Sequence, residues 1–234
     1  MKNLSLSTEQ PIYDTLWQQT ESDLERGNVC LDPYLRNRQQ DRRRGWSLII
    51  RPNHAAKEAI MGVIQDIQQL EPEQHYYHPD ELHVTVLSFF SVIETFDEHL
   101  PKFARYQAAL RTAFEQIERF QIDFRGITAT RDGLMMQGFA EKNALNLLRD
   151  HLRAILTQHG LGDTLDTRYR IQTAHSTIVR FQAPLRNPPD FLTRLRYLRA
   201  SASARTLCTS IQWVKNDWFL SRDTVELVEE FHLQ

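Results

Sequence analysis

Hydrophobic positions in this chain change period several times, and each change marks an element. Ile12, Leu16 and Leu24 follow a capping-box sequence, Ser7-Thr8-Glu9-Gln10, and stop at Gly27, which predicts a helix over 8–26. The arginine-rich stretch from Arg36 through Arg38 to Arg42, Arg43 and Arg44 reads as a linker. Trp46 to Arg51 (WSLIIR) is predicted as a buried strand stopped by Pro52, and Asn53 caps a helix with Ala56, Ile60, Ile64 and Ile67 on one face. Leu82 to Phe90 (LHVTVLSFF) has the β-branched and aromatic content of a second strand. A helix over 101–118 then leads to a hairpin with arms Phe120 to Ala129 and Leu134 to Phe139, turned at Asp132-Gly133. The pattern continues with a helix over 141–159 closed by Gly160 and a long strand from Tyr169 to Phe181. A short helix over 189–199 and two strands near 206–214 and 224–233 complete it.

Hairpins mixed with helices favour an α+β fold over a doubly wound parallel sheet. Residues 1–44 read as an N-terminal helical extension and linker, and residues 45–234 as the main body. Element order, more than direct sequence similarity, hints that this body is an internal duplication.

Of the 234 residues, 41% are hydrophobic and 25% charged, as in a soluble globular protein. A formal charge of −2 argues against a protein that coats duplex nucleic acid, because such binding needs clustered Lys and Arg. A nucleotide or an RNA terminus needs no such surface. Cys30 and Cys208 are far apart and in no CxxC pattern, so neither a disulfide framework nor a cysteine-rich zinc site is expected. The N-terminus lacks the apolar core of a signal peptide, and no stretch reaches the roughly 20 apolar residues of a membrane span, which predicts a cytoplasmic protein.

The chemistry lies in two matched tetrapeptides, His83-Val84-Thr85-Val86 and His175-Ser176-Thr177-Ile178. Within a strand, residues two apart share a face, so each H-x-T presents an imidazole and a hydroxyl to the same side. Two such strands facing each other suit phosphodiester cleavage. One histidine takes a proton from the nucleophile and the other gives one to the leaving oxygen, while the threonines hold non-bridging oxygens. Nine histidines make one chance H-x-[ST] unremarkable, and a single copy would be read as a core histidine beside a β-favouring threonine. Two copies at matched places carry the functional reading.

The pair resembles the signature of the 2H phosphoesterase superfamily, which includes 2′-5′ RNA ligase-like proteins and cyclic phosphodiesterases. LHVTVLSFF is similar to that family's first motif and AHSTIVRF, with Arg180, to its second. The ending SIQWVKNDWFLSRDTVELVEEFHL is similar to its closing hairpin, so the likeness spans residues 45 to 234. The resemblance implies a bilobal fold with two antiparallel sheets around a central cleft. It also implies metal-independent action, without a cofactor, on 2′,3′-cyclic phosphates or 2′-5′ linkages. By position His83, Thr85, His175 and Thr177 inherit the catalytic roles.

Other candidates carry two readings each. Simple alternation from His175 turns Arg180 away from the cleft unless a bulge intervenes, leaving phosphate contact or a structural ion pair open. Tyr76 or Tyr77 could stack on a base at the rim or merely pack, and Trp46 could line the cleft or fill the core. His75, His78 and Asp80 could ligate zinc, but Pro79 and the H-x-x-H spacing make that a weak metal pattern. The Arg42–Arg44 run reads as solvated surface or as phosphate steering. Rival functions are a nucleotide-binding protein without turnover and a sugar epimerase or mutarotase using the same histidines.

Overall fold

In the computed structural model, which describes residues 9–90, 92–200 and 203–234, these patterns resolve into two antiparallel sheets wrapped in helices. The first half contains α1 (Gln10–Glu25), α2 (Pro33–Arg36), β1 (Gly45–Ile50), α3 (His54–Leu70), β2 (His75–Tyr76), β3 (Val84–Ser88) and α4 (Phe103–Ala113). The second contains β4 (Phe120–Thr130), β5 (Gly133–Ala140), α5 (Ala144–Gln158), β6 (Ser176–Arg180), α6 (Pro188–Leu198), β7 (Ser203–Cys208), β8 (Ser210–Asn216) and β9 (Glu226–His232). One sheet runs β3-β1-β8-β9 and the other β2-β6-β5-β4-β7. The α+β expectation holds, and the element order repeats as expected: β1–α3–β3 in the first sheet matches β5–α5–β6 in the second.

The repeat extends to a local irregularity. In the β1–β3 ladder Ile49 pairs with Thr85 and Leu48 with Leu87, so Val86 is left over. In the β5–β6 ladder Met135 pairs with Thr177 and Leu134 with Val179, so Ile178 is left over. Each sheet thus carries a bulge one residue past its H-x-T threonine, and a bulge re-aims the side chains that follow it.

Aromatic packing closes the helix-covered face of the first sheet. Phe89 stacks on Tyr106 at 4.8 Å between ring centroids, and Phe103 on Trp213 at 5.0 Å. Trp46, considered above for the cleft, touches Phe90, Phe96, Phe103, Tyr106 and Trp213 and is 2% exposed. Alternation along β1 is the reason: Ser47 faces the cavity, so Trp46 and Leu48 face the helices. The core role is therefore the correct reading of Trp46.

Three expected elements differ. The strand expected near 206–214 divides at Thr209, because β7 joins one sheet and β8 the other. The hairpin turn is Arg131-Asp132, since Gly133 already pairs with Thr130. The strand expected over Tyr169 to Phe181 is regular only from Ser176 to Arg180. Upstream of it the carbonyls of Ile171, Gln172 and Thr173 accept hydrogen bonds from Arg153, Asn146 and Arg149 instead of from a strand. Asn146, Arg149 and Arg153 lie three and four residues apart on α5, so one helical face holds the segment as an ordered loop.

The helix expected over 8–26 spans Gln10–Glu25 and ends at Gly27, whose φ is +71°. Ser7 and Thr8 of its capping box lie outside the described residues. Tyr13, Trp17, Thr20 and Leu24 bury one face of α1 against the second sheet and α6. The Tyr13 hydroxyl donates to the Gly138 carbonyl at 2.9 Å and accepts from the Gly138 amide at 3.0 Å. Gly138 is required here because a Cβ would lie 1.8 Å from the Ala174 carbonyl, inside the chain segment that delivers His175. Tyr13→Phe strands both Gly138 groups away from water and is expected to cost about 1–3 kcal/mol in urea denaturation. An unchanged midpoint would show that the bond contributes nothing net.

Candidate active site

His83 and His175 each occupy the residue just before a strand, β3 and β6, so backbone pairing fixes the H-x-T segments from their second residue onward. Val84 and Val86 are fully buried on one face of β3, while His83, Thr85 and Ser88 line a cavity on the other. His175, Thr177 and Arg180 line the same cavity from β6. The two segments contribute across the cleft between the sheets, as their matched positions in the fold require.

The bulge at Ile178 accounts for Arg180. Without it, the odd spacing from Thr177 would turn the guanidinium into the core; with it, Arg180 reaches the cavity. Ser88 is its counterpart past the Val86 bulge and shares a 3.1 Å hydrogen bond with Ser47. Arg180 lies 3.6 Å from an Asp132 carboxylate oxygen and against the Tyr77 hydroxyl, but its Nε is buried without a hydrogen-bond partner among the described residues. It therefore combines a structural ion pair with an unused cationic donor. Tyr77 is 2% exposed and forms the wall beneath the guanidinium, so it is not a rim residue. Tyr76 donates its hydroxyl to the Glu71 carbonyl and lines no part of the cavity.

Hydrogen bonding sets the imidazoles. His83 Nδ1 lies 2.6 Å from the Glu81 carbonyl, an arrangement that requires Nδ1–H and leaves Nε2 as the free nitrogen. His175 Nδ1 lies 2.7 Å from the Thr173 hydroxyl. Burial pushes His83 down to about 4, with the positive charges of Arg51 and Arg180 adding to it and Asp217 opposing. Burial likewise pushes His175 down to about 3, helped by Arg149, His83 and Arg180. Both imidazoles are neutral at pH 7 in the free protein.

Arg149 carries no motif and is not legible as a site residue from the sequence. It is fully buried on α5, and burial lowers it to about 10, so it remains charged at neutral pH. Its Nη2 donates to the Thr85 carbonyl at 2.6 Å and the Thr173 carbonyl at 3.0 Å, and its Nε to the Val86 carbonyl at 2.8 Å. One guanidinium thus ties both histidine segments together. Its only sequence signal is an arginine on the otherwise apolar side of an amphipathic helix, beside Leu145, Leu148 and Leu152.

The cleft roof was missed as well. Trp218, from the turn after β8, and Arg168, Tyr169 and Ile171, from the loop before β6, line the cavity with Asn216. The Arg168 guanidinium lies 4.5 Å from the Trp218 ring centroid. Arg43 lies 5.5 Å from the same ring and 4.2 Å from Tyr34, so one member of the arginine run reaches the roof. Asn216 Oδ1 is buried without a partner among the described residues.

The second histidine cluster does not gather. His75 is held by Arg38 at 2.9 Å, whereas His78 pairs with Asp80 at 3.5 Å near the surface. Among the described residues no group of three or more His, Cys, Asp or Glu side chains is placed to hold a metal ion. Cys30 is exposed, Cys208 is buried, and both are free thiols. Among the described residues no helix is long and apolar enough to cross a membrane.

Comparison with known proteins fits this geometry. Residues 52–217, more than half of the chain, match the model of the 2′-5′ RNA ligase superfamily, and the chain belongs to that family of 2H phosphoesterases. Its fold is similar to that of TT0787 from Thermus thermophilus, with a TM-score of 0.60 at 17% identity over 81% of this chain and 97% of that one. E. coli LigT complexed with 3′-AMP superposes with a TM-score of 0.53 at 13% identity over 82% and 98%. ATU0111 from Agrobacterium tumefaciens, a conserved protein of unknown function, gives 0.57 at 14% identity over 91% and 99%. No curated protein matches the chain significantly in sequence. The family supports a phosphoesterase type of activity.

Two outcomes are expected from the electrostatics and the clamp. Both histidines titrate lower in the folded chain than in the unfolded one, where the value is near 6.5. Their neutral burial is compatible with folding above about pH 6.5, and stability falls as pH drops from there toward 4 and 3. The unfolded chain binds the extra protons in that window, at about 1.4 kcal/mol per pH unit of difference. His83→Gln with His175→Gln should flatten urea-midpoint curves between pH 6.5 and 4; an unchanged slope would place the acid sensitivity elsewhere. Arg149→Met leaves three buried carbonyls without a donor and is expected to destabilise by about 3 kcal/mol or more in the same assay. Stability equal to the parent chain would remove Arg149 as the clamp.

Proposed function

We propose that this chain is a metal-independent phosphodiesterase acting on 2′,3′-cyclic phosphate or 2′-5′-linked nucleotides through two histidines. The observation that carries the reading is the shared cavity: His83, Thr85, His175, Thr177 and Arg180 line one small cleft of about 170 Å³. The complexes of LigT with 3′-AMP and with ATP support a nucleotide or an RNA terminus as the substrate class.

The chemistry follows from the donors and acceptors present. The threonine hydroxyls and the unpartnered Nε of Arg180 are suited to the non-bridging phosphate oxygens, where negative charge accumulates as water adds to phosphorus. One neutral histidine accepts the proton of the attacking water. The other, once protonated, gives its proton to the ribose oxygen as the P–O bond breaks, and the ring opens to a monophosphate.

The low pKa values link protonation of the acid to substrate binding. Arg180 disfavours the imidazolium of both histidines, and a bound phosphate anion offsets that repulsion. Binding therefore shifts both histidines upward and makes the acid easier to protonate.

The test is hydrolysis of an RNA oligonucleotide ending in a 2′,3′-cyclic phosphate, in excess EDTA. His83→Ala and His175→Ala are each expected to lower the rate by roughly 10²–10⁴, and the parent chain should show a bell-shaped pH profile. Turnover indifferent to either substitution would overturn the two-histidine mechanism.

A further inference from the structure

We infer that the cleft takes a phosphodiester carrying two organic groups, with an aromatic base of the second group held in a chamber walled by α1. The inference rests on the proposed phosphodiesterase reading and narrows its substrate to dinucleoside-type diesters, in preference to the cyclic phosphate of a single nucleoside.

A second cavity, of about 320 Å³, adjoins the first. His175, Thr177 and Arg180 line both, and Arg168, Tyr169 and Trp218 roof both. The phosphate-binding groups therefore stand at a junction with space on either side. A cyclic phosphate of one nucleoside has a single organic substituent and needs only one chamber. A diester linking two nucleosides has two, and each chamber can receive one.

The walls differ in character. The first chamber contains Thr85, Ser88, Thr164 and the orphaned acceptor Asn216 Oδ1, which suit a sugar bearing hydroxyl donors. The second is walled by Ile12 and Leu16 of α1, with Met135 and Ile171. Ile12 and Leu16 are one helical turn apart and half-buried, whereas Tyr13, Trp17, Thr20 and Leu24 bury the packed face of α1. An apolar wall beneath a roof of Tyr169 and the Arg168–Trp218 stack is suited to a flat aromatic ring. Tyr169 is 62% exposed, so its ring is open to an incoming base. Asp132, which pairs with Arg180, lines this chamber together with Arg168 and Arg170, so its rim is charged while its α1 wall is apolar. Its α1 residues, Ile12 and Leu16, belong to the N-terminal segment, ahead of the residues 52–217 that match the family model.

The experiment compares two uncleavable ligands of equal charge by calorimetric titration: a 2′-5′-linked diadenosine phosphorothioate, and the methyl phosphorothioate diester of one adenosine. The diadenosine ligand is expected to bind about tenfold or more tightly, the scale of one base stacked on aromatic side chains. Leu16→Trp, which fills the chamber, and Leu16→Glu, which charges its wall, should each bring the diadenosine ligand down to the affinity of the methyl ester. Neither should change binding of the methyl ester. Equal affinities in the parent chain, no saturable binding of either ligand, or Leu16 variants that leave the difference intact would each overturn the inference. Loss of both ligands together in a folded variant would do the same. Turnover that ignores His83 and His175 would defeat the catalytic reading while leaving this binding difference in place, so the two failures are distinguishable.

Discussion

The geometry of the candidate site depends on one buried guanidinium. Arg149 stands where β3, α5 and the loop before β6 meet, and its hydrogen bonds go to the carbonyls of Thr85, Val86 and Thr173 and to the Asn146 side chain. Taking an arginine out of water costs several kcal/mol even after relaxation. Here three carbonyl dipoles and an amide oxygen offset that cost. The arrangement is also specific, because a planar guanidinium donates in several fixed directions where a lysine ammonium is a single point charge. A change in the distance between the two histidine segments would have to break bonds to the same group.

The same cation shapes the electrostatics. Arg149, Arg180 and Arg51 surround imidazoles that are already desolvated, so the positive field and the burial act in one direction. A chain of net charge −2 thereby maintains a local site that favours anions. An anion bound here would offset the arginine repulsion that adds to burial in keeping the histidines neutral. The hydrogen bond to the Glu81 carbonyl and, more weakly, Asp217 oppose the effect at His83, and His175 has no such support, so the two histidines are unequal.

What the sequence revealed and what it hid divide along the range of the interactions. The helices, the β4–β5 hairpin and the two H-x-T segments were legible because periodicity, capping residues and β-branched runs are local. Trp46 was ambiguous because a tryptophan suits a core or a cleft, and only the pairing of Ser47 with Ser88 fixes which face of β1 turns inward. Tyr169 to Thr173 has the composition of a strand, yet side chains of α5 take its carbonyls. That competition is invisible without the tertiary contact. Arg180 was a matter of parity: the residue count from Thr177 points it into the core, and one bulged residue reverses the count.

The paired bulges also show how a repeated scaffold builds a site that is not symmetric. The proposed acid–base hydrolysis would need two proton carriers on opposite sides of phosphorus, and twofold repetition offers His83-x-Thr85 and His175-x-Thr177 for them. Charge stabilisation has no such requirement, and there the halves diverge. The position after one bulge holds Ser88, neutral and bonded to Ser47, while its equivalent holds Arg180 with a spare donor. α1 then packs on the second sheet, adding Ile12 and Leu16 to the side that already carries the cation. The two histidines are thus equivalent in backbone but not in surroundings. In the proposed reaction, a phosphate presented to Arg180 would meet an asymmetric site, and that asymmetry would set which oxygen faces which imidazole.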